Sequence, residues 1–440
     1  MAERDGVVRT RAARPATAKK RALLLFPDAW DERALASPAL AREYSFEFAG
    51  FDLFRSPENV RLLTFDPQRF LDRLERRYRR RGLDLVVSSH ELWGTLLASE
   101  LAQRLGLPGH PPEAVLRAQH KFASRTLHRE AIPEATPRFA AFTYPLHREE
   151  QIELPFPLLV KPVKATFSIL ARRVESFAEL SRHLTFGRFE EYLLRRLIRP
   201  FDQLCRARLD LPVSSFDFLV EEFVDGWLFN VDGFAAGGEV RVLGVADSVL
   251  YPGTLAFERF EYPSALPAAV MEQASALARR AVSALGLTHG CFNVEMLYQE
   301  TTGRLTVVEV NPRLAYQLAD LYARVEGWDL HALSLALAAG ESPRLEPSHS
   351  PSAGVAVSFV YRRFDGRPAE RWPSAATLAE LAETDPDALL MLYPRQGASL
   401  NREMKWLGSY RYAVLNLGAP DREALFDRHR RLSARLGLLQ

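Results

Sequence analysis

The segment Val307-Val308-Glu309-Val310-Asn311-Pro312-Arg313 sets a carboxylate, an amide and a guanidinium at alternate positions of an otherwise apolar run. Alternation among valines marks a strand with one face in a core. Polar groups on such a strand need partners that compensate their lost hydration. A matching segment lies just upstream: Cys291 to Leu297 alternates in the same way, and Gln299 to Arg304 reads as a turn. A hairpin centred on Thr302 puts Glu295 opposite Glu309 and Asn293 opposite Asn311, all four on one face. A bulge in the turn would shift this register by one. Two facing carboxylates resist joint ionisation unless a cation lies between them. Two carboxylates and an amide, Glu295, Glu309 and Asn311, suit magnesium or manganese, which complete their shells with phosphate oxygens and water. Arg313 then reaches the same anion. The plainer alternative is a pair of acids at a hydrated sheet edge, held by nearby arginines.

Working outward from the hairpin, the strongest helix signal is the three-to-four spacing of Val270, Ala274, Leu277, Ala281 and Leu285, stopped by Gly286. Strands are expected at 216–224 and 230–234, and further upstream at 138–142 and 158–163. One helix is expected from Pro112 to Glu130. The insert from Phe177 to Leu209 carries a helical stripe of Leu193, Leu194, Leu197, Ile198, Phe201 and Leu204, read as packed on the protein and not on a membrane surface. Near the N-terminus, strand-like runs at 21–26 and 83–89, each entering a loop, give a first α/β unit ending near the Pro108–Pro112 break. Past the proline- and serine-rich span 340–354, another strand is expected at 355–361.

Composition sets the limits of the reading. The chain has 440 residues, 47% of them hydrophobic, enough to build a core in two or three units. Lys and Arg number 57 against 55 Asp and Glu, so bulk attraction favours neither nucleic acid nor an anionic membrane. The basic cluster Arg76 to Arg81 precedes Gly82 and reads as a dipole-complementing helix end. Two distant cysteines, Cys205 and Cys291, suggest no disulfide framework. No apolar run is long enough to span a membrane, so a cytoplasmic protein with a loose basic tail is expected.

At this point the residues resemble the ATP-grasp superfamily, and within it the carboxylate–amine ligases, over about Pro112 to Gly340. In that family a Glu on one strand and E-x-N-x-R on the next hold magnesium and the ATP phosphates, which matches Glu295 and then Glu309, Asn311 and Arg313. The resemblance makes Lys121 and Lys161 the two phosphate lysines. It makes Glu221-Glu222-Phe223-Val224 the hinge, where the Glu222 carbonyl and Val224 amide read the adenine edge. The fold it implies is an N-terminal α/β pre-ATP-grasp domain followed by a two-lobed ATP-grasp α+β fold. The corresponding boundaries are a tail at 1–20, an N-terminal domain at 21–112, a lid subdomain at 113–225, and a C-terminal subdomain with extension at 226–440.

The function implied is an ADP-forming ligase with ATP and Mg2+ (or Mn2+), joining a small-molecule carboxylate to an amine. Arg313 and Lys161 would act on the transferring phosphoryl group. Two features depart from the family pattern. Leu228 stands where a ribose-binding Glu is frequent, and the loop after Lys161, Pro162-Val163-Lys164-Ala165-Thr166-Phe167-Ser168, has no glycine. Lys164, Thr166 and Ser168 are its candidate phosphate donors. These departures motivate the alternative of a nucleotide-binding regulatory protein with little turnover. Glu258 to Pro263 is the expected substrate-facing segment, and Cys291 is read as a core residue.

Overall fold

The computed structural model describes residues 18–52, 61, 64–165, 170–343 and 345–439. Most of the basic tail and the loop residues Thr166, Phe167 and Ser168 lie outside this set. Three sheets follow one another along the chain. The first is parallel, with β1 (Lys20–Leu25), β2 (Tyr44–Ala49) and β3 (Leu85–Val87) in the order β2-β1-β3. The expected strands at 21–26 and 83–89 are β1 and β3. Between them β2 was not anticipated, because Tyr44-Ser45-Phe46-Glu47-Phe48-Ala49 is a half-exposed edge strand with Phe48 open to solvent.

The second sheet is antiparallel, with β4 (Phe139–Phe142), β5 (Leu158–Pro162), β6 (Arg172–Val174) and β7 (Phe218–Glu222) in the order β4-β7-β5-β6. The third holds the remaining eight strands: β8 (Trp227–Ala236), β9 (Glu239–Leu250), β10 (Phe257–Tyr262), β11 (Gly290–Gln299), β12 (Arg304–Asn311), β13 (Val355–Arg363), β14 (Leu389–Leu392) and β15 (Tyr410–Ala419). Their order, β12-β11-β8-β9-β10-β13-β15-β14, shows that the C-terminal strands extend the same sheet.

One face of this large sheet presents Phe229, Val231, Phe292, Val294, Met296, Val307 and Val310 to a core shared with the helix Ala268–Leu285 and with Leu96, Leu97 and Leu101 of the N-terminal unit. That helix ends as its sequence dictates, with Gly286 in the left-handed region at φ 79°. The other face looks into a cleft.

The expected single helix at 112–130 is two helices, Pro112–Gln119 and Lys121–Ala131. His120 breaks it with extended backbone (φ −95°, ψ 97°), and its Nδ1 caps the second helix by accepting from Ala123 N at 3.3 Å. Periodicity did not reveal the break because apolar spacing continues through it.

Candidate active site

The hairpin pairs as its alternation requires at the polar end: Asn293 with Asn311 and Glu295 with Glu309. The route to that register differs from the expectation. The turn itself brings Gln299 opposite Arg304, one residue out of step, and a bulge within the strand, between the Glu309 and Val307 pairings, restores the alignment. The bulge is needed because Leu305, Val307 and Val310 all enter the core, a spacing that strict alternation cannot satisfy. It leaves Glu309 on the cleft side, and the Val308 carbonyl accepts from Arg125 Nη2 at 2.7 Å.

The break at His120 makes Lys121 the first residue of its helix and aims it at the hairpin. Its Nζ lies 3.2 Å from Glu309 Oε1 and donates to the Ala165 carbonyl at 2.9 Å. On β5, Lys161 is buried and lies 2.8 Å from Glu221, which Arg125 also contacts at 2.6 Å. Lys164 is buried too, bonded to Gln119 Oε1 at 2.9 Å and lying 4.5 Å above the Phe201 ring. Burial depresses both Lys161 and Lys164 to about 8. Burial alone would raise the Glu309 carboxyl, but Lys121, Lys161 and Lys164 outweigh it and hold it below the usual range.

Glu295 behaves oppositely. Burial, then Glu309, then Glu91 push its carboxyl up to about 7. Glu91, in the loop after β3, was not singled out in the sequence: it is buried and lies 3.1 Å from Arg313 Nη2. With its nitrogen turned toward Glu91, the Asn311 amide donates to both carboxylate oxygens at 2.8 and 3.0 Å. Its Oδ1 then takes the place 3.4 Å from Glu295 Oε1, an acceptor facing an acceptor, which is the conflict a divalent cation resolves. Among the described residues no group of three or more His, Cys, Asp or Glu is arranged to hold a metal. Two carboxylates and an amide fit magnesium shared with phosphate oxygens better than a free-standing metal site.

The hinge residues divide. The Glu221 side chain is buried beneath the cleft wall in the triad with Arg125 and Lys161. Glu222 points outward to Arg138 at 3.0 Å and Arg304 at 2.7 Å, tying β7 to the hairpin turn. Val224 lies just past β7, and its neighbours Phe223 and Asp225 line the cleft.

The cleft has a volume of about 2900 Å³, and its lining includes Asn293, Glu295, Glu309, Asn311, Arg313 and Lys164. Lys121 and Lys161 are not part of that lining. The helix Arg188–Arg208 forms one wall through Leu193, Leu194, Leu197 and Ile198. The segment 258–263, expected to present charge to a substrate, is mostly strand β10. Arg259 and Glu261 pair with each other at 2.7 Å, and of this segment Phe260 lines the cleft. Cys291 is buried in the sheet. Among the described residues no helix is long and apolar enough to cross a membrane.

Residues 154–320 match the family model of the ATP-grasp domain. The chain is 31% identical over 288 residues to carnosine synthase 1 of Gallus gallus, covering 62% of this chain and 29% of that protein. It is 26% identical over 331 residues to the carbamoyl phosphate synthase large chain of Thermus thermophilus, covering 73% of this chain and again 29% of the relative. The chain thus spans under a third of the length of these curated relatives. Among solved structures, the L-amino acid ligase from Bacillus licheniformis superposes with a TM-score of 0.69 at 17% identity, over 95% of this chain and 98% of the other. Phosphoribosylglycinamide synthetase from Anaerococcus prevotii superposes at 0.64 and 14% identity, over 95% and 98%. These structures share the fold. Residues 154–320 are thus similar in sequence to the ATP-grasp domain, and over nearly the whole chain the likeness to these structures is one of fold.

Proposed function

We propose that the protein is an ATP-dependent ligase that joins a carboxylate to an amine through an acyl phosphate, releasing ADP and phosphate. One observation carries this reading. Lys121 contacts Glu309 directly, and Lys161, Lys164 and Arg313 lie close enough to attract one or other of the paired acids, at the edge of a cleft of about 2900 Å³. A single small ligand occupies roughly 300–1,000 Å³, so the cleft has room for a nucleotide and two substrates together. L-amino acid ligase and carnosine synthase, by their names, do chemistry of this class.

In this reading the substrate carboxylate attacks the γ-phosphorus and ADP departs. The amine then attacks the acyl carbon and phosphate leaves. The protein's part is positioning and charge neutralisation. Lys121, Lys161 and Lys164 offset phosphate charge, and Arg313, oriented by Glu91, faces the transferring group. The backbone at Glu222 and Val224 meets the adenine, with Glu221 holding Lys161 and Arg125 in place beneath it. Ser168, in the phosphate loop, is a further donor. Glu295, Glu309 and Asn311 would hold magnesium or manganese, which when bound neutralises developing phosphate charge. We place the reaction in the cytoplasm. Both cysteines are free and buried, as a reducing compartment allows.

The test is magnesium-dependent release of ADP and phosphate from ATP, screened against pools of carboxylates and amines. Release is expected to need both substrates, to vanish with EDTA and in Glu309→Gln, and to survive in Arg76→Ala on the distant helix Pro67–Arg81. Equal loss in both variants would remove the site assignment. Tight ATP binding without release under any pool would favour a regulatory nucleotide-binding role, which the glycine-free loop motivates.

A further inference from the structure

The cleft holds a second cationic centre, away from the hairpin, where the C-terminal strands join the main sheet. Arg362 on β13 and Arg411 on β15 are direct partners in the strand register, and both line the cleft. They share this face because the register shifts next to Tyr361. Tyr412 and Ala413 both enter the C-terminal core, so Arg411 turns to the same side as Val360 and Val414. A bulge that re-aims one side chain in this way recurs beside functional sites.

Like charges directly opposite each other on neighbouring strands destabilise a sheet. Here burial first, and then Arg411, bring the Arg362 guanidinium down to about 10. The cost falls on Arg362, because Tyr393, Tyr316, Glu403 and Asp28 together outweigh burial at Arg411 and hold it above its ordinary value. Arg411 lies 4.1 Å over the Tyr393 ring and, among the described residues, forms no hydrogen bond or ion pair. Arg362 Nε donates to Ser409 Oγ at 3.0 Å. Glu403, an acid that attracts both, is held by Arg395 at 2.6 Å. Asp28 attracts Arg411 more weakly, and its carboxylate is committed to capping the helix Ala29–Leu35. Glu403 thus attracts both arginines while its direct ion pair is with Arg395. Tyr316 joins this centre to the phosphate end, since its phenol feels both Arg313 and Arg411. Trp30, bonded to the Tyr393 hydroxyl at 2.7 Å, closes the far wall.

We propose that Arg362 and Arg411 form the recognition site for a carboxylate that does not react: the free carboxylate of the amine substrate. The site would therefore select an amino acid over a simple amine. This rests on the ligase reading above. The two ends of the cleft then divide the labour. Phosphoryl chemistry belongs to the lysines and Arg313, and the arginine pair anchors the acceptor so that its amino group points back toward the acyl carbon. Paired guanidiniums suit a planar carboxylate because they donate in a fixed fork.

The experiment compares wild type with Arg362→Gln, Arg411→Gln and the double variant. The amine supplied is either a mixture of the common L-amino acids or the same amino acids as α-carboxamides, with a carboxylate pool and magnesium–ATP, and products are read by mass. Wild type is expected to favour the acids strongly. The variants should raise the KM for the amino acid by roughly tenfold to a hundredfold, the range for a lost charge-assisted contact. Their KM for ATP should stay within about twofold, since the proposal gives the pair no phosphate contact. Equal use of carboxamides by wild type, or a rise in KM for ATP instead, would overturn the proposal. If no pool releases ADP, the ligase reading fails and the pair is read by binding alone. Succinate at constant ionic strength should then raise the Tm of wild type but not of the double variant, and equal shifts would overturn the site. Because burial and Arg411 disfavour its charge, Arg362→Gln should be no less stable than wild type.

Discussion

The charge of the second lysine depends on Glu221. Burial alone would raise this carboxyl, yet Arg125 and Lys161 outweigh it and hold it to about 2. The same contact raises Lys161, but burial first, and then Arg125 and Lys121, outweigh it and bring the ammonium down to about 8. The asymmetry is physical: Glu221 faces two cations, whereas Lys161 shares one anion with Arg125 and also feels Lys121. With a folded value of about 2 against an ordinary 4.5, Glu221 contributes stability in full above pH 4.5. That contribution is lost as the pH falls from there toward 2. Removing one partner of a buried pair costs about 3–5 kcal/mol. Glu221→Gln should lower stability at neutral pH by about that much and flatten the acid limb of the profile, as measured by denaturant unfolding at several pH values. An unchanged midpoint would mean that the triad contributes nothing to the fold.

The helix Arg188–Arg208 serves two environments along its length. Phe201 and Cys205 are buried in the main core, while Leu193, Leu194, Leu197 and Ile198 are only partly covered and face the cleft. The sequence stripe suggested one continuous packed face. In the structure its N-terminal half is only partly buried and lines the cleft. Two substitutions separate these roles. Phe201→Ala should cost about 3–5 kcal/mol, the usual price of emptying a buried aromatic site. Leu197→Asp should change stability by no more than about 1 kcal/mol while raising the KM of a substrate in the turnover assay. Equal destabilisation by both would return the whole stripe to the core. The break at His120 carries a similar lesson: capping by a histidine ring is not a preferred sequence signal, so nothing in the local pattern separated the two helices.

The eight-stranded sheet makes the segment after Gly340 inseparable from the rest. Strand β13 lies against β10, and Trp30 of the N-terminal unit packs with Val360, Leu389 and Val414. A chain ended after Gly340 would expose β10 as a bare edge and uncover this cluster. It should be insoluble or lack near-UV dichroism, whereas a soluble, folded product would show that β13 to β15 are an independent addition. The truncation would also remove Arg362 and Arg411, so any residual turnover should no longer distinguish amino acids from their amides.

The sequence by itself determined what is local. Alternation in Cys291–Leu297 and Val307–Asn311 put Glu295, Glu309 and Asn311 on one face, because side chains in a strand repeat every second residue. It also marked the helix that Gly286 ends and the apolar strands that carry Lys161 and the hinge. Tertiary structure alone decided which distant groups meet: Glu91 on Arg313, Lys164 on Gln119, and Arg362 against Arg411. Those meetings depend on strand order and on two bulges. Each bulge moves every later side chain to the opposite face, so their effect belongs to paired strands in a folded sheet and not to any single stretch of chain.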